Sequence, residues 1–234
     1  MRRSSTTPIS SRAISPRNSW SAIIPRRRDI GGLCLILDAV HLSDDVVAVA
    51  NEALQAGIRL FQYRDKEGSR RRVYENASRL AEKLRSSGAV FIVNDHADIA
   101  LATGADGVHL GQDDLPLAEA RSLLGPDRVI GISTHSAEQA IRAESDGADY
   151  IGFGPLFATS TKDAGPMQGL ERLRNVRRAV SLPILAIGGI DESNARSAIE
   201  AGADGIAVIG AVLRAPHIPN AITALLHGMG NRPA

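Results

Sequence analysis

Gln62, Arg64 and Lys66 stand two residues apart, just after the apolar pair Leu60-Phe61. In an extended chain alternate side chains share a face, so a carboxamide, a guanidinium and an ammonium point to one side. The two cations make an anion clamp, and the amide serves a heterocycle or a phosphate. The use of lysine is informative, because the chain has 24 Arg and only three Lys. A second one, Lys162, closes the hydroxyl-rich run Thr159-Ser160-Thr161, between Gly154-Pro155 and Gly165-Pro166. A compact ammonium on a flexible stem suits a phosphate that gains charge during reaction, and such a loop suits a flap over it. The competing role for both lysines is plain surface charge.

Carboxylates follow two further apolar runs: Asn94-Asp95 after one, Asp113-Asp114 after the next. Magnesium takes one or two carboxylates and completes its shell with water and phosphate oxygens, so Asp95 with one of the pair would suffice. Helix capping ahead of Leu115-Pro116 is the competing role for Asp114. Two later runs end in Gly188-Gly189 and Ile209-Gly210. Glycine lets backbone approach an anion closely, as at a barrel phosphate site. His109 and His135 also stand near run ends, but neither has a metal-like or nucleophile-like partner in sequence. They read as packing residues or as supports behind the site.

The elements that must carry these residues are short apolar runs separated by amphipathic stretches. Strands are expected at about 33–37, 59–62, 90–93, 107–110, 129–133, 150–153, 184–187 and 205–209. Helices are expected between them, the first capped by Ser43, the second opening at Ser69 or Arg70, and a short one after the third strand. Eight parallel units predict a single (β/α)8 barrel with all strand C-termini on one face, where the polar clusters converge. An open doubly wound sheet is the alternative. Gly104-Ala105-Asp106, Gly147-Ala148-Asp149 and Gly202-Ala203-Asp204 repeat one pattern ahead of a strand. These turns lie on the opposite face, so their aspartates should be structural.

Residues 1–28 hold seven Arg, three Pro and no acidic residue, leaving 20 basic against 26 acidic groups in the rest, a net −6. The basic balance therefore belongs to the tail, and the barrel carries no nucleic-acid footprint. The division predicted is a disordered Arg/Ser-rich tail over 1–30 and a catalytic barrel over 31–234. Tail composition alone suits an organelle-targeting segment, an upstream start codon or a high-Arg background. No apolar run approaches the ~20 residues of a spanning helix, so no membrane segment is expected. A single cysteine, Cys34, forbids an internal disulfide and fits a reducing, cytoplasmic setting. It lies in the run Leu33–Leu37 and reads as a buried small hydrophobe.

Six motifs in order resemble the thiamine-phosphate synthase family across about 33–225. Gln62-Tyr63-Arg64-Asp65-Lys66 resembles Q-x-R-x-K, Val93-Asn94-Asp95 resembles I-N-D, and Val108 to Asp114 resembles V-H-x-G-Q-x-D. Gly131-Ile132-Ser133 resembles G-x-S, Thr159-Ser160-Thr161-Lys162 resembles T-x-T-K, and Gly188-Gly189-Ile190 resembles G-G-I. The resemblance implies a transferase that joins a hydroxymethylpyrimidine diphosphate to a thiazole phosphate, carboxylated or not. It implies that Gln62, Tyr63, Arg64, Asp65, Lys66, Asn94, Ser133 and Lys162 hold the diphosphate substrate. Arg64, Lys66, Ser133 and Lys162 would form the catalytic set, with Mg2+ on Asp95 and Asp114. Thr159, Ser160, Thr161, Gly189, Ile209 and Gly210 would hold the thiazole phosphate.

The sequence departs from the family at Tyr63, where Leu is frequent, at Ala158, where Pro is, and at Gly210, where Ser is. The rival readings are a thiazole tautomerase-like relative, a phosphosugar isomerase or lyase, and a non-catalytic precursor sensor. The full diphosphate clamp disfavours the first, and the lack of an acid–base pair at strand ends disfavours the second. Partners are limited to the small-molecule substrates, with no nucleic acid or membrane; self-association into a homo-oligomer is compatible with the sequence.

Overall fold

Eight parallel strands close on themselves in sequence order, each paired with its chain neighbours and the first with the last. The computed structural model describes residues 30–42, 44–159 and 165–230. The strands are β1 (Gly32–Asp38), β2 (Leu60–Arg64), β3 (Val90–Asn94), β4 (Gly107–Leu110), β5 (Val129–Thr134), β6 (Tyr150–Phe153), β7 (Ile184–Ile187) and β8 (Gly205–Val208). Helices α1 (Val46–Gln55), α2 (Arg70–Arg85), α3 (Ala97–Thr103), α4 (Leu117–Leu124), α5 (Ala137–Ser145), α6 (Gly169–Ala179) and α7 (Ala195–Glu200) follow β1 to β7 in turn. After β8 come a four-residue helix α8 (Gly210–Leu213) and α9 (Ile218–Met229). The barrel, not the open sheet, is the fold; α8 carries no periodic signal of its own and was not expected.

Ser69 caps α2 through its hydroxyl, as expected. The first helix is capped by Asp45, whose carboxylate accepts from the N–H groups of Val47 and Ala48. Ser43, residues 1–29, Ser160, Thr161 and Lys162 lie outside the described residues. Ile30, assigned on sequence to the tail, is 2% exposed and packs with the interior residues Cys34 and Leu60, so the packed unit begins before β1. Cys34 is buried, and burial pushes its thiol up to about 12, as a small hydrophobe rather than a nucleophile.

Alternation along the strands sorts side chains into two apolar groups. Leu35, Phe61, Tyr63, Phe91, Val93, Val108, Ile151 and Ile206 face outward and pack with the helix residues Val49, Leu80, Ile99 and Leu173. Cys34, Ile36, Leu60, Val90, Ile92, Val129, Leu185 and Ala207 fill the barrel interior. Gln62, Arg64, Asn94 and Ser133 share the parity of the interior set, so they stand above that apolar plug at the strand C-termini. Tyr63 and Asp65 have the other parity.

The repeated Gly-Ala-Asp turns close the opposite end. Asp106 Oδ2 accepts from Phe91 N–H at 2.8 Å, Asp149 Oδ2 from Ile130 N–H at 2.9 Å, and Asp204 Oδ2 from Ile184 N–H at 2.9 Å. In return each aspartate's own N–H donates to Phe91, Ile130 or Ile184 carbonyl. Every even strand from β4 is thereby pinned to the strand before it, which gives the three aspartates their structural role.

Candidate active site

The strand C-termini surround a cavity of about 470 Å³, a volume suited to small ligands. Its wall includes Gln62, Arg64, Asn94, Ser133, Thr159, Gly189, Ile209 and Gly210. The strand-end residues expected from β2, β3, β5, β7 and β8 are therefore brought to one place. Thr159 is the described end of the hydroxyl-rich run, and the remainder of that run lies outside the described residues.

Arg64 is held by a residue that sequence reasoning missed. Asp38 ends β1 directly opposite Arg64 in register, and its carboxylate lies 2.6 Å from the guanidinium with no exposure to solvent. Asp38 shares the interior parity of Cys34 and Ile36, and the polar-residue-after-apolar-run signal used elsewhere would have found it. His41, also on the cavity wall, accepts from Arg214 at Nε2 over 2.6 Å.

Tyr63 and Asp65 do not join the cavity wall. The Tyr63 hydroxyl donates to Asp65 at 3.2 Å and accepts from Asn76 at 2.9 Å, while Arg72 holds Asp65 through two bonds of 2.7 and 2.8 Å. Both side chains face α2, because their parity sends them outward. Their expected place among the diphosphate ligands is replaced by a support role: Asp65 also accepts from Gly68 N–H at 2.8 Å and so shapes the β2–α2 turn that presents Lys66.

Lys66 Nζ lies 2.5 Å from Asp95 Oδ2. Asp95 has φ 65, a left-handed turn that brings its carboxylate back from the outward parity it would have in a continued strand. Burial pushes its carboxyl above the ordinary range, Lys66 pulls it back, and Asp114 beside it pushes it up again. Asp114 is pinned by Gly111 N–H at 2.7 Å. It does not cap α4, whose cap position is Pro116 without a side-chain bond. Asp95 and Asp114 thus bring two sets of hard oxygen donors together, with the Lys66 ammonium on one of them. No group of three or more His, Cys, Asp or Glu that could hold a metal occurs among the described residues. A two-carboxylate set leaving the rest of the shell to water and phosphate fits Mg2+.

Gly188 and Gly189 have φ 95 and 65. A Cβ would fall 2.4 Å from Pro155 Cβ at the first and 2.3 Å from the Ala158 carbonyl at the second. These glycines thus admit the β6–α6 loop against the end of β7, beyond any role at an anion. His135 supports the same loop, its Nδ1–H donating to Gly154 carbonyl at 2.7 Å.

Residues 33–212 match the model of a family described as thiamine monophosphate synthase, more than half of the chain. The chain belongs to the thiamine monophosphate synthase family. Among its relatives in that family, a thiamine-phosphate synthase of Shouchella clausii is 50% identical over 190 residues, covering 81% of this chain and 91% of the relative. One of Chlorobium phaeovibrioides is 48% identical over 198 residues, covering 84% and 93%. A solved thiamine phosphate pyrophosphorylase of Pyrococcus furiosus superposes with a TM-score of 0.79 at 40% identity, covering 86% of this chain and 96% of that one.

Proposed function

We propose that this chain is a thiamine-phosphate synthase, a transferase of thiamine biosynthesis. It joins a hydroxymethylpyrimidine diphosphate to a thiazole phosphate, releasing diphosphate, and CO2 as well when the thiazole is carboxylated. The observation that carries this reading is the gathering of Gln62, Arg64, Asn94, Ser133, Gly189 and Gly210 around one cavity. In the reaction the pyrimidine methylene C–O bond breaks with its electron pair leaving on diphosphate, and the thiazole nitrogen lone pair then forms the new C–N bond.

The chain's own part is to bind, orient and stabilise charge. Arg64, fixed by Asp38, offers N–H donors to the diphosphate; Lys66 and Lys162 add ammonium charge; Ser133 and Asn94 add neutral hydrogen bonds. All of these gain strength as negative charge grows on the leaving group. Asp95 and Asp114 are the residues to hold Mg2+, which when bound would offset charge on the diphosphate. Thr159, Ser160, Thr161, Gly189, Ile209 and Gly210 take the thiazole phosphate, whose charge stays constant through the reaction. The catalytic unit is the barrel, with Ile30 packed at its start, its partners are its two substrates, and its setting is the cytoplasm. No helix among the described residues is long and apolar enough to cross a membrane. Incubating the purified chain with both precursors and Mg2+ and assaying thiamine phosphate tests the function; no product with either thiazole substrate would refute it.

A further inference from the structure

Four polar residues of the barrel interior are joined in line. His109 Nδ1 lies 2.9 Å from the Tyr150 hydroxyl, and His109 Nε2 lies 2.9 Å from Ser133 Oγ. The Gln62 carboxamide lies beside the same Tyr150 hydroxyl. His109 and Tyr150 are 8% and 1% exposed. His109, Gly131 and Tyr150 stand opposite one another in register on β4, β5 and β6. Glycines make room for both rings: a Cβ on Gly131 would fall 2.1 Å from Tyr150 Cζ, and one on Gly152 3.1 Å from His109 Cε1. The line is built by six positions on four strands, not by one chance contact.

Donor and acceptor rules give the line a direction. Burial pushes His109 down to about 4, so at neutral pH its ring carries one N–H and one bare nitrogen. Burial keeps the Tyr150 hydroxyl protonated, so it has a proton to give, and His109 Nδ1 is the acceptor 2.9 Å away. With Nδ1 bare, the imidazole proton sits on Nε2 and donates to Ser133 Oγ. Ser133 then has its own O–H to offer to the cavity it lines.

We propose that Tyr150 and His109 are positioning residues that fix His109 as the Nε2–H tautomer and so make Ser133 a hydrogen-bond donor toward the cavity. The recipient rests on the synthase reading above: a diphosphate oxygen whose charge grows as the C–O bond breaks. A line of the opposite sense would turn Ser133 lone pairs toward an anion, which opposes that reaction.

Nitrogen-15 NMR of the histidine-labelled free protein at neutral pH reads the tautomer directly. The expected spectrum has His109 protonated at Nε2 and bare at Nδ1. In Tyr150→Phe, which keeps the ring that fills the space at Gly131, that preference should weaken. Its kcat should fall about tenfold, with KM for both substrates within about twofold, as for loss of one aligned bond to growing charge. Wild-type His109 protonated at Nδ1 overturns the proposal whatever the kinetics. An unchanged kcat in Tyr150→Phe overturns it too. Since the tautomer is read without substrate, a wild-type protein that makes no thiamine phosphate would remove the function and the recipient of the bond, while the tautomer would stand or fall on its own spectrum.

Discussion

Asp38 and Arg64 face each other across β1 and β2, 2.6 Å apart, with the carboxylate sealed from solvent. Asp38 also accepts from Val40 N–H at 3.1 Å, so one carboxylate ties the β1 turn to the guanidinium that lines the cavity. Arg64→Ala removes the guanidinium partner of that buried carboxylate, leaving only the His41 ring 3.7 Å away, and should cost about 3 kcal/mol of stability. The double change Asp38→Asn with Arg64→Gln should recover most of it in urea unfolding, yet leave turnover low because no guanidinium remains. Equal stability of the single and double variants would remove the pair from the stability account.

Asp95→Asn and Asp114→Asn should each raise the Mg2+ concentration needed for half-maximal rate. Asp113→Asn should change it little, because Asp113 is exposed while Asp114 is pinned beside Asp95. A Mg2+ titration of the three variants decides the register across this pair.

Gly210 and Gly189 should behave differently although both were expected at the thiazole phosphate. A Cβ at Gly210 meets Arg214 Cδ at an ordinary 3.5 Å, whereas one at Gly189 meets the Ala158 carbonyl at 2.3 Å. Gly210→Ser should therefore keep its melting temperature and, by adding a hydroxyl, lower KM for thiazole phosphate about fivefold at unchanged kcat. Gly189→Val should displace the β6–α6 loop and lower kcat as well as thiazole affinity. Steady-state kinetics with each substrate varied separates the two outcomes.

His109 should make stability depend on pH. Its folded pKa, pushed down to about 4 by burial, lies below the value of about 6.5 in the unfolded chain. Between these values the unfolded state binds the extra proton, so stability is complete above about pH 6.5 and falls as pH drops toward 4. The loss across that window is on the order of 3 kcal/mol, because a tenfold change in proton affinity is worth roughly 1.4 kcal/mol. His109→Gln should flatten the slope of unfolding free energy against pH in that window by one proton; an unaltered slope would contradict a neutral buried imidazole.

Strand positions and the polar residues ending them were legible in the sequence because buried parallel strands are short apolar runs with sharp ends. Parity within a strand was legible only in part. Gln62 and Arg64 both line the cavity, whereas Lys66 lies past the end of β2 against Asp95, and the family motif drew in Tyr63 and Asp65, which alternation sends to α2. Asp38 was within reach of the same logic. Tyr150 was not: it starts β6, and it meets Ser133 at the end of β5 through His109 only because the strands of a closed barrel are staggered. Stagger is a property of the closed sheet and leaves no mark in local sequence. The left-handed turn at Asp95 was equally hidden, since an aspartate adopts it only where the chain around it requires it.

The three aspartate latches at the far end of the barrel bear on this parity. Strands that are apolar on both faces say little about how far they may slide, because either face packs well after a shift. A slip of one residue in β2 would put Tyr63 into the cavity and Gln62 against α2. By holding both a carbonyl and an N–H of one named residue on the neighbouring strand, Asp106, Asp149 and Asp204 act as register keys. They touch no substrate, yet they keep Asn94, Ser133 and the end of β7 turned toward the cavity, because each key excludes the frames in which those residues would face the helices.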